Sequence, residues 1–393
     1  MPKLTWKVSN KTQANLNLTQ YVRSLNFTLG RPTPVSPYSG NSASITMSSY
    51  GGIENYVNVN DEIEFQAQPT AGINQFLLNA RVTSRTFDDN PGTGVNSTMT
   101  VSLNDAMLQA GMANFQSQSL VSPDDQIAEI DALLPQIQIF SYPTGVEMST
   151  GTFTTNANQR INEIIAGDRG VISMSSTFSQ YVSPRVFDEF INTDIVFGRT
   201  TSASQIAYQD LVRVEAASNS LFYTQATVTG SASTETKSSA ALATYGTRTF
   251  TATTAQSQLV GQTAEWYANT FSDPEVVMLY LSFTDVAQNE SALQKFNNFC
   301  ALIEFVEVSY TPPGGTEVTG YYWPEQMTFN ATTSQTTIDM LMTPLTYYAN
   351  FILNDTVFGI LGGVPTYESG IDYNEVDYTY NDSSADNGSR LGV

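Results

Sequence analysis

SAALATYGTRTF (239–250), followed by an amphipathic pattern over 258–271 and the apolar run VVMLYLSF over 276–283, decides how this chain is read. Before it, FYTQATVT (222–229) alternates as a strand does, and the small polar residues 230–239 read as a loop. Residues 247–253 alternate again. The pattern over 258–271 puts Leu259, Thr263, Trp266, Tyr267 and Phe271 on one helical stripe, and Asp273-Pro274 ends it. A nearly continuous apolar run such as 276–283 predicts a strand covered on both faces. The stretch therefore closes one β-rich unit and opens another.

Working toward the N-terminus, period-two patterns dominate. Leu25, Phe27 and Leu29 alternate with polar residues, as do Ala43, Ile45 and Met47; Ile63, Phe65 and Ala67; Leu78, Ala80 and Val82; and Met99, Val101 and Leu103. Each set predicts a strand with one buried face, and Gly and Pro clusters between them read as turns. Five short strands so spaced suggest a small barrel or a sandwich. Residues 103–113 shift to helical spacing. Ser122-Pro123-Asp124-Asp125 reads as a helix start, with Pro135 as its stop. A second helix over 158–166 presents Ile161, Ile164 and Ile165 and ends at Gly167, read as a left-handed cap. Strands are expected over 171–174 and 178–182, so the middle of the chain is α+β. Beyond 283, strands are expected over 301–310, 318–323, 326–332 and 336–342. The last thirty residues, from Val364, carry six acids and one arginine and read as a loosely held tail.

Composition narrows the functions. Charged residues make up 13% of the 393, against a usual ~25%, and Ser, Thr, Asn and Gln take their place. The net charge of −21 disfavours a chain that grips nucleic acid, because an acidic surface repels phosphate. The opening MPKLTWKVSNKTQ has no apolar segment behind its lysines, so no export signal is expected, and no apolar run approaches the ~18 residues of a membrane span. The sequons at Asn10, Asn17, Asn26 and Asn330 read as products of an Asn- and Thr-rich composition.

The inventory of reactive groups is short. There is no histidine, which excludes Ser-His-Asp and Cys-His nucleophile systems and His-ligated metals. Cys300 is alone, so no intrachain disulfide forms, and its neighbours in FCALI predict a core residue. Paired carboxylates at Asp88-Asp89, Asp124-Asp125 and Glu129/Asp131 read first as turn and helix-dipole acids. Asp372, Asn374, Glu375 and Asp377 are spaced loosely like a calcium loop but lack its glycine and its closing glutamate. Trp6, Trp266 and Trp323 are dispersed and read as packing residues. The expectation is no catalytic residue, no metal site and no cofactor.

The order of these segments resembles the phage tail hub family, also described as minor tail or baseplate hub proteins. Four places carry it. LTQYV (18–22), SASITM (42–47) and VNVND (57–61) resemble the family's opening strands; the helix 158–166 with the strand 171–174, ending near Ser183-Pro184-Arg185, resembles its middle domain. Ser239 through Tyr245-Gly246-Thr247-Arg248 with the helix 258–271 is similar to the family's S…YG-x-R segment, and FILNDTVFGIL (351–361) with SRLGV (389–393) to its closing phrase. The resemblance implies two small β-barrels flanking a middle α+β domain: 1–112 with 222–250 as the first barrel, 113–221 as the middle domain, 251–363 as a helix plus second barrel, and 364–393 as the acidic tail. It further implies a homotrimeric ring at the tail tip of the virion. Tail tube and distal tail proteins would lie above the ring and spike or fibre proteins below. Genomic DNA would pass without sequence-specific binding, and no stable membrane insertion is expected. Three copies would carry a formal −63, three times −21.

Two other readings stay open. A carbohydrate-binding adhesin of the tail would use a solvent-facing aromatic cluster, for which Tyr367, Tyr373, Tyr378 and Tyr380 are candidates. A histidine-free hydrolase would hold two carboxylates ~5–9.5 Å apart in a cleft.

Overall fold

The computed structural model describes residues 3–48, 52–69, 75–88, 97–112, 119–120, 137–139, 151–152, 156–168, 170–174, 180–184, 195–215, 221–273, 277–298, 305–311 and 315–347. Among them the chain is mainly β, with antiparallel pairing throughout its large sheet except at Val196–Gly198. The five alternating sets of the N-terminal hundred residues all form strands, and every apolar residue named for them is buried.

The pairing path of the N-terminal strands returns on itself. Leu4–Asn10 pairs with Glu62–Pro69, which pairs with Gln75–Asp88, then Thr98–Asn104, then Ser42–Ser48, then Val22–Gly30. Just before Val22–Gly30 in the chain, Leu16–Asn17 pairs back onto Leu4–Asn10, and the Leu18 amide donates to the Val8 carbonyl. A second circuit is built the same way. Val196–Gly198 pairs with Val306–Tyr310, which pairs with Val318–Thr332, then Thr336–Pro344, then Val277–Thr284, then Asp210–Glu215. Gln205–Ala207, immediately before Asp210–Glu215, pairs back onto Val196–Gly198.

Val318–Thr332 belongs to both. Its first five residues pair with Val306–Tyr310, and Gln326 to Thr332 pair with Val22–Gly30, so the two circuits share one continuous sheet. The change of partner falls at a register shift between Pro324 and Gln326. Proline cannot donate to a ladder, so a bulge there is where the strand can turn. The sequence patterns 318–323 and 326–332 are therefore one strand with a bend, not two.

The strands Gln225–Thr229, Thr234–Ser238 and Thr249–Thr253 form a separate small sheet. Its Ala226 and Val228 are buried against Val260, Ala264, Tyr267, Ala268 and Phe271, on and just past the helix Val260–Thr270. Within Gln225–Thr253 the three strands pair with one another. The helix stripe lies where it was expected: Leu259, Thr263, Tyr267 and Phe271 are buried, and Trp266 is partly covered.

Several expectations are corrected. Residues 230–239 contain the strand Thr234–Ser238, whose β-branched threonines suit an exposed edge that the loop reading overlooked. Thr19–Tyr21 is a 3-10 turn preceding Val22–Gly30, not part of a strand. Gly167 lies inside the helix Ala157–Asp168 and is no left-handed cap. A Cβ there would sit 1.9 Å from Gln256 Oε1 and 2.5 Å from Thr254 Oγ1, so close approach is what requires glycine. In Val277–Thr284, Leu279, Leu281 and Phe283 face the main core, Met278 and Thr284 are buried on the opposite side, and Tyr280 and Ser282 stay half-exposed, so the strand is not covered on both faces along its length. The strand Leu4–Asn10 and the helix Glu290–Asn298 carry too short an apolar pattern to have been recognised. The helix start at 122–125 lies outside the described residues.

Candidate assembly face

The joint between the two circuits is held by aromatic packing and buried charge. Phe27 stacks on Phe329 with centroids 4.6 Å apart, and Trp6 meets both edge-on at 5.5 and 5.9 Å. Arg31 Nε donates to Glu325 Oε2 at 3.2 Å, with both side chains buried. The Arg31 guanidinium lies 4.9 Å over the Tyr38 ring, and Thr343 donates its hydroxyl to Glu325 Oε1 at 2.7 Å. A second tie is Asp285, wholly buried, whose carboxylate accepts the backbone N–H of Lys3, Leu4 and Thr336 at 2.7–2.8 Å. One carboxylate therefore fastens the start of the chain to the far end of the sheet.

Because strand side chains alternate, the shared sheet turns its other face outward; its central strands place mainly hydroxyl and amide groups there, with charge at Asp339 and, where the second row runs on, at Arg81 and Asp210. One row runs Ser102, Ser44, Asn26, Asn330, Thr337, following the registers of neighbouring strands. A parallel row runs Asn104, Ser42, Thr28, Thr328, Asp339, Ser282. Asn26 donates to Asn330, Asn330 to Asp339 at 3.4 Å, and Tyr280 and Ser282 donate to the other Asp339 oxygen at 2.9 and 2.6 Å. The ladder spans four strands and ends on one carboxylate. Burial, and then the bond to Asp339, hold the Tyr280 phenol above its usual pKa. Toward the Thr332 end of Val318–Thr332 a hollow of about 210 Å³ opens among Ser24, Asn26, Ser44, Thr46, Asn330 and Thr332.

Hydroxyl and amide groups already bonded to one another lose little on leaving water, and neutral surfaces do not repel their own copies. Segments 113–156 and 348–393 hold 12 of the 37 acids and one of the 16 basic residues, so they account for −11 of the −21.

Of the acids, cysteine and tail tyrosines singled out from sequence, Asp88 alone lies among the described residues. Asp88 ends the strand Gln75–Asp88 and is exposed; Asp89, Asp124, Asp125, Glu129 and Asp131 lie outside the described residues, as do Cys300, the acids at 372–377 and the four tail tyrosines. Among the described residues no group of three or more acids or cysteines is placed to hold a metal ion. All three tryptophans pack: Trp323 is fully buried, Trp6 donates to Thr336 Oγ1 at 2.8 Å, and Trp266 donates to the Tyr347 carbonyl at 2.7 Å. Of the sequons, Asn10 is fully buried and donates to Asp61, while Asn26 and Asn330 face each other across the joint. No described helix is long and apolar enough to cross a membrane. The polar face escaped the sequence reading because it depends on which strands lie side by side; its only trace in sequence was the uncharged residue at every second position.

No protein-family model and no curated protein matches the chain. Its fold, however, is that of known tail proteins. A tail protein from Neisseria meningitidis superposes with a TM-score of 0.60 at 8% identity, covering 88% of this chain and 98% of its own. The 43 kDa tail protein of prophage MuSo2 from Shewanella oneidensis gives a TM-score of 0.55 at 7% identity, covering 88% and 99%.

Proposed function

We propose that this chain is a structural protein of a phage tail, a hub at the tail tip that assembles as a homotrimeric ring. The observation that carries this reading is the fold likeness to two tail proteins over nearly their whole lengths. We read the two pairing circuits, each led back to its first strand by a short neighbouring strand, as its small barrels. Joined through the shared strand Val318–Thr332, they give each chain two similar blocks, so three chains present six to a hexameric tube above and a threefold element below. Spike or fibre proteins occupy the lower side.

The chemistry agrees with a part that holds rather than reacts. No histidine is present, and the described sheet spends its polar groups on cross-strand bonds. The net charge of −21 lets DNA pass without adhering. Electron microscopy of tails assembled with and without this chain tests the assignment. Its loss should leave no tails, or tubes lacking their tip structure; tails of normal form and infectivity without it would overturn the reading.

A further inference from the structure

The two circuits repeat one pattern of five antiparallel strands. In the first, Glu62–Pro69, Gln75–Asp88, Thr98–Asn104, Ser42–Ser48 and Val22–Gly30 lie side by side in that order. In the second the order is Val306–Tyr310, Val318–Thr332, Thr336–Pro344, Val277–Thr284 and Asp210–Glu215. The closing strands differ in direction, Leu4–Asn10 running antiparallel to its neighbours and Val196–Gly198 parallel, so the equivalence is that of the five. In both sets the second strand is the long one, 14 residues in Gln75–Asp88 and 15 in Val318–Thr332. Each also bulges by one residue, at Thr83 between Val82 and Ser84 and at Glu325 between Pro324 and Gln326.

Past its bulge, Val318–Thr332 carries the fifth strand of the other set, Val22–Gly30, along its edge. The counterpart of this joint would bring Asp210–Glu215 to the edge of Gln75–Asp88, and both edges lack a strand. Among the described residues, Gln75–Asp88 pairs past Thr83 with Thr98–Asn104 alone, and Asp210–Glu215 pairs with Val277–Thr284 alone. An unpaired strand edge is a template for a further strand. Arg85 steadies the first of these edges, its Nη1 donating to the Glu54 and Val57 carbonyls at 2.6 Å each. Side-chain burial agrees. Phe27 and Phe329 are buried in the existing joint, whereas Phe87, opposite buried Met99, is 48% exposed, and Arg213, opposite buried Leu279, is also exposed.

We propose that Asp210–Glu215 of one copy pairs antiparallel with Thr83–Asp88 of the next copy, as Val22–Gly30 pairs with Val318–Thr332 inside the chain. The bulges fix the register. Two residues past them, Arg85, Val101, Ile45 and Leu25 form one row across the first set, and Met327, Met340, Leu281 and Leu211 form its equivalent in the second. Leu211 therefore stands for Leu25, Arg213 for Phe27 and Glu215 for Leu29. Inside the chain Phe329 lies opposite Phe27, and Met327 opposite Leu29. Carried to the seam between copies, that register sets Phe87 opposite Arg213 and Arg85 opposite Glu215. A cation meets an aromatic residue at one position, and a base meets an acid at the other. The two edges are different surfaces, so the contact is head-to-tail, the type that closes into a ring when the rotation allows. Closure at three copies rests on the hub reading above; the seam itself does not.

Disulfide trapping and a charge reversal test the seam. On a Cys300→Ser background, Phe87→Cys combined with Arg213→Cys should link copies on oxidation, giving species of two and three chains on a denaturing gel that reductant returns to one. In native mass spectrometry Phe87→Lys, which sets a like charge against Arg213, should weaken association by about tenfold or more. Adding Arg213→Glu to it should restore assembly, with thermal unfolding confirming an intact fold in each variant. If the unaltered chain assembles, the cysteines do not link copies and Phe87→Lys assembles equally well, the seam is wrong and the ring survives. Linked species that run on past three chains would uphold the seam and overturn the ring of three. If the unaltered chain stays a single copy at all concentrations, both fall.

Discussion

Arg31 and Glu325, 294 residues apart, form a buried ion pair at 3.2 Å where the N-terminal and C-terminal strands join. Removing one partner strands the other charge away from water, so Glu325→Ala should cost about 3–5 kcal/mol in denaturant unfolding. Replacing both, as Arg31→Met with Glu325→Leu, should cost clearly less than the sum of the single changes. Additive losses would show that the pair contributes nothing as a pair.

Asp285→Ala should leave three backbone N–H groups without their acceptor and cost about 3 kcal/mol or more. Hydrogen exchange reads the effect locally. Amides of Leu4–Asn10 should lose protection first, before the helix Val260–Thr270 changes at all.

Gly167→Ala would drive a methyl group into Gln256 and Thr254, where the approach is 1.9–2.7 Å. A loss of about 1–3 kcal/mol is expected. Shortening the neighbour, as Gln256→Ala on the Gly167→Ala background, should recover part of it; no recovery would mean the glycine serves backbone freedom instead.

Alkali should unfold the protein through its tyrosines. Burial raises the phenol pKa of Tyr322, Tyr223 and Tyr280, so the folded state keeps protons that the unfolded chain has lost. The stability they contribute is complete below about pH 10, the unfolded value, and is lost as pH rises through the folded values. The slope is at most about 1.4 kcal/mol per pH unit for each group. Urea midpoints between pH 8 and 11.5 should fall above pH 10, and Tyr322→Phe should flatten that fall.

How much of this was legible in the sequence depended on the distance over which each signal acts. Leu25, Phe27 and Leu29 announced their strand because alternation is local, and Leu259 through Phe271 announced their helix for the same reason. The bend at Pro324 reads in sequence only as a gap between two strands, since the bulge matters once Val22–Gly30 lies alongside. Thr234–Ser238 was hidden by composition: exposed threonines on an edge strand look like a polar loop. The outward face leaves only its uncharged alternate residues in the sequence, and its hollow leaves nothing. Asn26 and Asn330 are unremarkable alone and acquire meaning only when long-range pairing sets them opposite each other.

Native mass measurement of the purified chain tests the central claim most directly. A species of three times 42.9 kDa at low micromolar concentration is the predicted result; a single 42.9 kDa species that persists up to the solubility limit would contradict it.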